Sequence, residues 1–344
     1  GLDLDKTDQV TTILTPGGMS DSNKWKSKLL SSSVPMEYEV AQLLVSKGFV
    51  TDVDFAYTRV DGGIEKDFSV DLMATSYLAD KKGDIQAIVD LLVECKFRHP
   101  SNRWLFFKDP NESDMSPFTL GYTLRAIDEF SWRFFPSGPT VSFDRKNCFC
   151  TKGVEVDISS GNVHDSEIRH GLLQLQYAIP RLLADRVRFE ISHSEDENSP
   201  FFFCPILLTT SPILVAQPGV KIKTVEGAGK LEDFSRPMPW VVTHSDLTPE
   251  FDRHRTSQCA VLSDIADEPK IKELNQHRLA RGEYEHRLPT EQIAMLSGLK
   301  HGRPFEYFSQ TIVCSLEYFP KLVQELERTA KSAANRLKES KSGR

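Results

Sequence analysis

Two charged residues interrupt a long apolar run, LLVECKF at residues 91–97. The run has the length of a β-strand, and the side chains of a strand alternate between its two faces. Glu94 and Lys96 therefore share one face, whereas Val93 and Cys95 share the other. The fold must place this strand with one face in a core and with a charged pair on the opposite face.

The segments on either side of this run have the periodicities of an α/β fold. A helix of about three turns is predicted at residues 33–47, where apolar residues recur at helical steps and Gly48 follows as a stop signal. A second helix is predicted at 166–186 from the same three- and four-residue spacing. Strand-like segments bounded by turn residues lie at 49–60, 68–79, 84–97 and 201–210.

Composition divides the chain into three regions. Residues 1–30 are polar and predict a loose N-terminal arm, 31–245 hold the predicted main domain, and 246–344 are charged and predict a mostly helical C-terminal region. Within the main domain, residues 99–165 are irregular and rich in Pro, Asn, Ser and aromatic residues. We expect this segment to be an insertion between the third strand and the second helix.

Charge and cysteine content limit the setting of the protein. The net charge of −7 gives no overall attraction to nucleic acid, so any such binding requires a local basic surface. The six cysteines have no repeated spacing and are expected to be reduced thiols. No signal peptide and no run of about 18 apolar residues is present, which predicts a cytoplasmic protein without a membrane partner.

Two further acidic residues are expected close to the charged pair. Asp71 begins the VDLMA segment on the preceding strand and would lie beside Glu94 if the two strands pair antiparallel, and Glu37 would approach from the first helix. Buried carboxylates are costly unless a cation neutralises them. Oxygen ligands favour Mg²⁺, with Mn²⁺ as the alternative ion, and the backbone carbonyl of Cys95 is a further candidate ligand.

Lys96 supplies the remaining chemistry of this cluster. On the face that holds Glu94, its ammonium group would orient or help to deprotonate a metal-bound water, or stabilise the negative charge that builds on phosphorus. This combination is typical of phosphodiester hydrolysis. The alternative interpretation of Glu94 and Lys96 is a solvated pair on an exposed strand face.

Other acidic residues are alternative candidates for the same role. Glu39 would replace Glu37 if the register of the first helix were shifted, although its position at the border of the apolar stripe favours a solvated residue. Asp67 lies in a predicted turn. Asp90 shares the face of Glu94 but is four residues away along the strand, too far to share one ion.

These residues resemble the motif of a known enzyme superfamily. The segments MEYEVAQLLVSKGF, VDLMA and ECK, with Glu37, Asp71, Glu94 and Lys96 in this order, are similar to the PD-(D/E)XK nucleases, in particular to their Mrr-like restriction endonuclease branch. The resemblance implies a restriction-endonuclease-like α/β core that runs α-β-β-β-α-β, with a central mixed sheet flanked by helices. It also implies that these four residues are catalytic, with Glu37, Asp71 and Glu94 as metal ligands.

The expected function is therefore a Mg²⁺-dependent endonuclease that hydrolyses phosphodiester bonds in DNA, in a prokaryotic defence or restriction system. Nucleic-acid contacts are expected from Arg98, His99 and Arg103, which follow the motif, and from Gln176 on the second helix. The C-terminal helices are candidates for a homodimer contact or for a partner protein. The alternative is a catalytically inactive nucleic-acid-binding or scaffold protein with the same fold.

Overall fold

The computed structural model describes residues 21–110, 125–126, 148–193, 201–262, 273, 276, 280 and 308–342. These residues form a twelve-stranded mixed sheet flanked by helices, which confirms the predicted α/β class. Within these described ranges, the helices of at least five residues are α1 (Asp21–Ser31), α2 (Val34–Ser46), α3 (Ser166–His193), α4 (Ile222–Glu226), α5 (Pro249–Cys259) and α6 (Phe319–Ser342). The strands are β1 (Val50–Asp61), β2 (Ile64–Ala79), β3 (Ile85–Lys96), β4 (Asn102–Lys108), β5 (Arg125–Ala126), β6 (Phe149–Asp157), β7 (Val163–His164), β8 (Phe201–Thr209), β9 (Ile213–Ala216), β10 (Ser235–Met238), β11 (Trp240–His244) and β12 (Gln310–Ser315).

The sheet has the strand order β1-β2-β3-β8-β12-β11-β6-β4-β9-β10, with β5 added beside β8 and β7 beside β6. The first three strands are antiparallel neighbours, because short turns join them in sequence. Strand β8 then runs parallel to β3, and β12 runs parallel to β8. Parallel neighbours need a crossover, and α3 supplies it between β3 and β8.

Helices cover both faces of the central strands. Met36, Val40 and Leu44 of α2 pack in one core with the apolar stripe of α6, which includes Leu322 and Leu326. Leu175, Ile179 and Leu182 of α3 pack in a second core on the other face. We refer to these as the α2 face and the α3 face of the sheet.

Strand β3 is therefore buried on both faces, contrary to the prediction of one core face and one charged face. Val89, Leu91 and Val93 lie on the α2 face, whereas Ile88 and Leu92 lie on the α3 face beside the charged pair. A strand that is central in a sheet with helices on both sides reads as a nearly continuous apolar run, as β3 does. The charged pair is thus enclosed by α3 rather than exposed to solvent.

Three predicted boundaries differ from the structure. Helix α1 occupies the end of the predicted N-terminal arm, and residues 1–20 lie outside the described part. Residues 99–165, predicted as an insertion, contribute β4 and β6 to the same sheet. The predicted C-terminal region contributes β12, which pairs with β8 and β11 near the middle of the sheet, so a boundary at 245 would divide one core.

All six cysteines are free and buried, as expected for small apolar side chains. Among the described helices, none has both the length and the apolar character needed to cross a membrane.

Candidate active site

Asp71 is fixed against the backbone of β3. The β2–β3 register sets Leu72 opposite Val93, so the next position places Asp71 beside Glu94, as expected from antiparallel pairing. The Asp71 Oδ2 atom accepts a hydrogen bond of 2.6 Å from the main-chain N–H of Cys95. The carboxylate is therefore held at the Glu94–Cys95 peptide group.

The alternation of side chains between the two faces of the sheet is interrupted in β2 at Asp71. Val70 packs in the core of the α3 face, whereas Leu72 packs in the core of the α2 face, although regular alternation would put both on one side. Opposite Asp71 on β1 lies Asp54, whose φ of 56° is in the left-handed region that Asp tolerates better than most residues.

Glu94 and Lys96 form an ion pair in a largely enclosed position. Lys96 Nζ lies 2.7 Å from Glu94 Oε1, with 15% of the lysine side chain and 1% of the glutamate side chain exposed. The Oε2 atom of Glu94 is buried and has no hydrogen-bond partner among the described residues. This arrangement does not fit the alternative of a solvated surface pair.

Gln174 of helix α3 helps to fix the position of the Lys96 side chain. The Gln174 side chain accepts a hydrogen bond from Lys96 Nζ at 3.4 Å and donates one to the carbonyl oxygen of Ser69 at 3.2 Å. At Gly171, an added Cβ would lie 2.5 Å from Leu207 Cδ1 and 3.4 Å from Lys96 Cε. Glycine at this position therefore lets α3 pack closely on Leu207 of β8, next to the Lys96 side chain.

Helix α2 begins beside the end of β3 and brings Glu37 to the cluster. The main-chain N–H of Phe97 donates a hydrogen bond of 3.1 Å to Ser33 Oγ, immediately before the helix. Ser33 occupies the predicted N-cap position, but its side chain bonds to this strand end and not to the helix. Glu37 is half-buried and electrostatically coupled to Asp71, whereas Glu39 is exposed.

The protonation of the carboxyl groups reflects this burial. Burial, reinforced by the charge of the neighbouring Asp71, raises the pKa of Glu94 to about 7, although Lys96 and a hydrogen bond from the Asp71 backbone oppose the rise. Burial and the charges of Asp71 and Asp54 raise the pKa of Glu37 to about 7. Burial also raises the pKa of Asp71, against the hydrogen bond from Cys95 and the charge of Lys96. Removing these groups from water while they repel one another favours their neutral forms.

Asp71 and Glu94 are the side chains of this cluster that could hold a divalent cation. Within the described residues, no three His, Cys, Asp or Glu side chains are gathered closely enough to hold a metal ion as they stand. Mg²⁺ typically uses one or two protein carboxylates and completes its shell with waters and substrate phosphate oxygens. Asp71 and Glu94 supply such a pair, and the unpartnered Oε2 of Glu94 leaves a lone pair for an ion.

The residues expected to contact nucleic acid are engaged with the protein. Arg98 Nε donates to Glu155 Oε2 at 2.6 Å, and its Nη1 lies 3.5 Å from Glu167. Arg103 Nη1 donates to the carbonyl oxygens of Pro100 and Asn102 at 2.7 and 2.8 Å. The exposed His99 bonds to Ser101 Oγ at 2.8 Å. These side chains stabilise the loop between β3 and β4.

Gln176, the fourth of these residues, does not reach the charged cluster. It lies two positions beyond Gln174, and side chains two positions apart on an α-helix point about 200° apart. Gln176 therefore faces away from Lys96. Its Nε2 atom donates to the carbonyl oxygen of Phe308 at 3.2 Å. The structure thus places Gln174, and not Gln176, at the site.

The sequence pattern does not identify two residues of the cluster, Gln174 and Asp54. A signal for Asp54 exists, because the two-residue Gly62-Gly63 hairpin turn, with φ of 60° and 82°, fixes the β1–β2 register that sets Asp54 opposite Asp71.

Comparisons with protein-family models, curated proteins and solved structures give no match for this chain.

Proposed function

We propose that this protein is a metal-dependent nuclease with a restriction-endonuclease-like core. The order α2-β1-β2-β3-α3-β8, with β8 parallel to β3, supports such a core. The observation that carries the proposal is the arrangement at the end of β3. Asp71 accepts a hydrogen bond from the N–H of Cys95, and the buried Glu94 keeps one oxygen without a partner among the described residues.

Asp71 and Glu94 would hold a Mg²⁺ or Mn²⁺ ion, with the Cys95 carbonyl as a further candidate ligand. Such an ion would act as a Lewis acid and supply positive charge beside the scissile phosphate. The role of Asp71 and Glu94 in this proposal is to fix the ion relative to Lys96. The hydrogen bond from the Cys95 N–H contributes to this by orienting the Asp71 carboxylate.

Lys96 would bind and stabilise negative charge on the substrate. Its ammonium group has three donors, of which one is directed at Glu94 and one at Gln174. The third donor remains for a phosphate oxygen or an attacking water. Because Gln174 and Glu94 hold the side chain in place, little reorganisation is needed when charge develops.

Glu37 would accept a proton from the attacking water. A general base is most effective when its pKa lies near the working pH, and the pKa of about 7 at Glu37 satisfies this condition. Its half-buried position on α2 leaves part of the carboxyl group accessible. The exposed Glu39 lacks this environment and serves as a matched control.

Cleavage of supercoiled plasmid DNA in Mg²⁺ or Mn²⁺ tests the proposal directly. We expect nicking by wild type, and a loss of about 10²-fold or more in Lys96→Ala, Asp71→Asn and Glu37→Gln. Glu39→Gln and Lys66→Ala, which change exposed residues, should cleave like wild type. Thermal melting of each variant verifies that it is folded.

Two outcomes would overturn the nuclease proposal. One is the absence of cleavage of both DNA and RNA by wild type with either ion. The other is cleavage that persists unchanged in Lys96→Ala, since a contaminating nuclease would produce this result. Binding of nucleic acid without cleavage would support the inactive binding protein with the same fold.

A further inference from the structure

A second concave site lies on the other flank of α3. It is a cavity of about 210 Å³ between α3, the strands β6 and β12, and the segment that follows β11. None of the proposed catalytic residues lines it. Its apolar walls are formed by Ile168, Leu172, Leu173 and Phe308.

The floor of the cavity contains an unsatisfied polar group. Ser309 is 4% exposed, and its hydroxyl group has no hydrogen-bond partner in the described part of the chain. Its carbonyl oxygen accepts a 2.8 Å hydrogen bond from the N–H of Ser245, which fixes the residue in place. A buried hydroxyl without a partner is unusual in native proteins, and a ligand is one way to satisfy it.

Gln176 provides a second polar group beside Ser309. It is 7% exposed, and one of its amide N–H bonds is directed at the carbonyl oxygen of Phe308. The side-chain oxygen then remains to accept a hydrogen bond, while the Ser309 hydroxyl can donate or accept. The two side chains therefore suit a ligand that presents a donor and an acceptor along one edge.

The mouth of the cavity does not select for charge. Exposed Lys152 and Arg169 are balanced by exposed Asp165 and Asp246, and Arg169 lies 4.0 Å from Asp165. Opposite charges at equal number leave no net field to attract an anion or a cation. The ligand that fits is neutral, with apolar faces and a polar edge.

We propose that this cavity binds a nucleobase, inserted between the apolar walls with its polar edge against Ser309 and Gln176. An apolar cavity of about 150 Å³ holds a benzene ring, so 210 Å³ accommodates a larger heteroaromatic ring. The base could belong to a bound strand, extruded from its stack, or to a free nucleoside. The first of these sources rests on the proposed nuclease function.

Helix α3 connects the cavity to the charged cluster. Gly171 and Gln174 face Lys96, whereas Leu172, Leu173 and Gln176 face the cavity. The two sites are therefore separated by about one helix diameter, on the order of 10 Å. A strand bound along α3 could place a phosphate at one flank and a base at the other.

Titration of the 344-residue chain with free adenosine, guanosine, cytidine and thymidine tests the cavity without any requirement for cleavage. Saturation-transfer NMR is expected to detect binding of at least one nucleoside. We expect Leu172→Trp, which fills the cavity, to weaken this binding at least tenfold, and Ser309→Ala to weaken it severalfold. Ile222→Trp, at a position that is 79% exposed on another helix, should bind like wild type.

A second experiment identifies the source of the base. Duplex DNA that contains one 2-aminopurine is added to Lys96→Ala protein in EDTA, where an extruded base gives increased fluorescence. An increase that Leu172→Trp and Ser309→Ala abolish supports a base from the bound strand. Nucleoside binding without this increase supports a free nucleoside as the ligand of the same cavity.

The base proposal is overturned if no nucleoside binds at millimolar concentration, or if binding is unaffected in both cavity variants. Because Ser309→Ala removes a single oxygen atom, it remains informative if Leu172→Trp fails to fold. These outcomes are separable from those of the nuclease assay. A protein that binds nucleosides in the cavity and cleaves no nucleic acid would retain this site and lose the proposed enzymatic function.

Discussion

Replacing Glu94 by Gln should change how stability depends on pH. Burial raises the pKa of Glu94 to about 7, against 4.5 for an unperturbed glutamate. Between these values the folded state binds more protons than the unfolded state, so the free energy of unfolding decreases as pH rises through this window. The two pKa values differ by about 2.5, and a difference of one corresponds to about 1.4 kcal/mol. The free energy of unfolding should therefore decrease by about 3 kcal/mol across this window. Glutamine does not ionise, so the free energy of unfolding of Glu94→Gln should not show the decrease that ionisation of Glu94 causes.

Urea unfolding at pH values from 4.5 to 8, in EDTA, measures the effect. The stability of Glu94→Gln relative to wild type should rise by about 3 kcal/mol across this range, and Glu39→Gln should follow the wild-type curve. Excess Mg²⁺ should reduce the decrease in wild type, because an ion that binds only the ionised folded site stabilises that state. Parallel curves for wild type and Glu94→Gln would refute the argument that Glu94 is buried without full compensation.

Three further changes test the surroundings of the site. Asp90→Asn leaves Arg186 buried without its carboxylate partner, 2.7 Å from Arg186 Nε in wild type, and should lower the free energy of unfolding by about 3 to 5 kcal/mol. Asp185→Asn, which breaks an exposed pair with Arg181, should cost less than about 1 kcal/mol in the same urea titration, and equal losses would contradict this reasoning. Gly171→Ala forces Leu207 or α3 to move and should cost about 1 to 3 kcal/mol and slow plasmid cleavage, while Gly229→Ala, whose added Cβ makes only an ordinary contact, changes neither. Glu155→Gln removes the carboxylate that pairs with Arg98 and accepts the Trp104 N–H at 2.7 Å, so thermal melting should show a marked loss of stability, and an unchanged melting temperature would rule out this anchoring role.

The local structure near the site was predictable because its determinants are local. Helix α2 and strands β1 to β3 follow from apolar periodicity and from turns rich in Gly and Asp, and the observed bounds of α2 and β3 differ from the predicted ones by one residue. Antiparallel pairing across a short turn then sets Asp71 beside Glu94. The sequence pattern therefore contained most of the information for this pair.

The remaining features depend on contacts between distant segments. Strand β12 enters the middle of the sheet about 100 residues after β8, and no local pattern specifies its neighbours. The rotation of α3 about its axis decides whether Gln174 or Gln176 faces Lys96, and this rotation is set by packing against β3 and β8 rather than by the apolar stripe alone. The change of face at Asp71 likewise involves two paired strands, since Asp54 with its positive φ lies opposite on β1.

Comparison of the buried carboxylates distinguishes the proposed site from ordinary packing. Glu155 accepts hydrogen bonds from Arg98, Asn102 and Trp104, and Asp90 accepts bonds from Arg186 and Thr75. Both carboxylates are thus compensated within the protein, as expected for groups that serve the fold. Glu94 is buried to the same degree, but one of its oxygens has no partner among the described residues and its pKa is raised to about 7. An apolar residue at this position would avoid that cost, so the uncompensated oxygen supports a role for Glu94 in binding a cation.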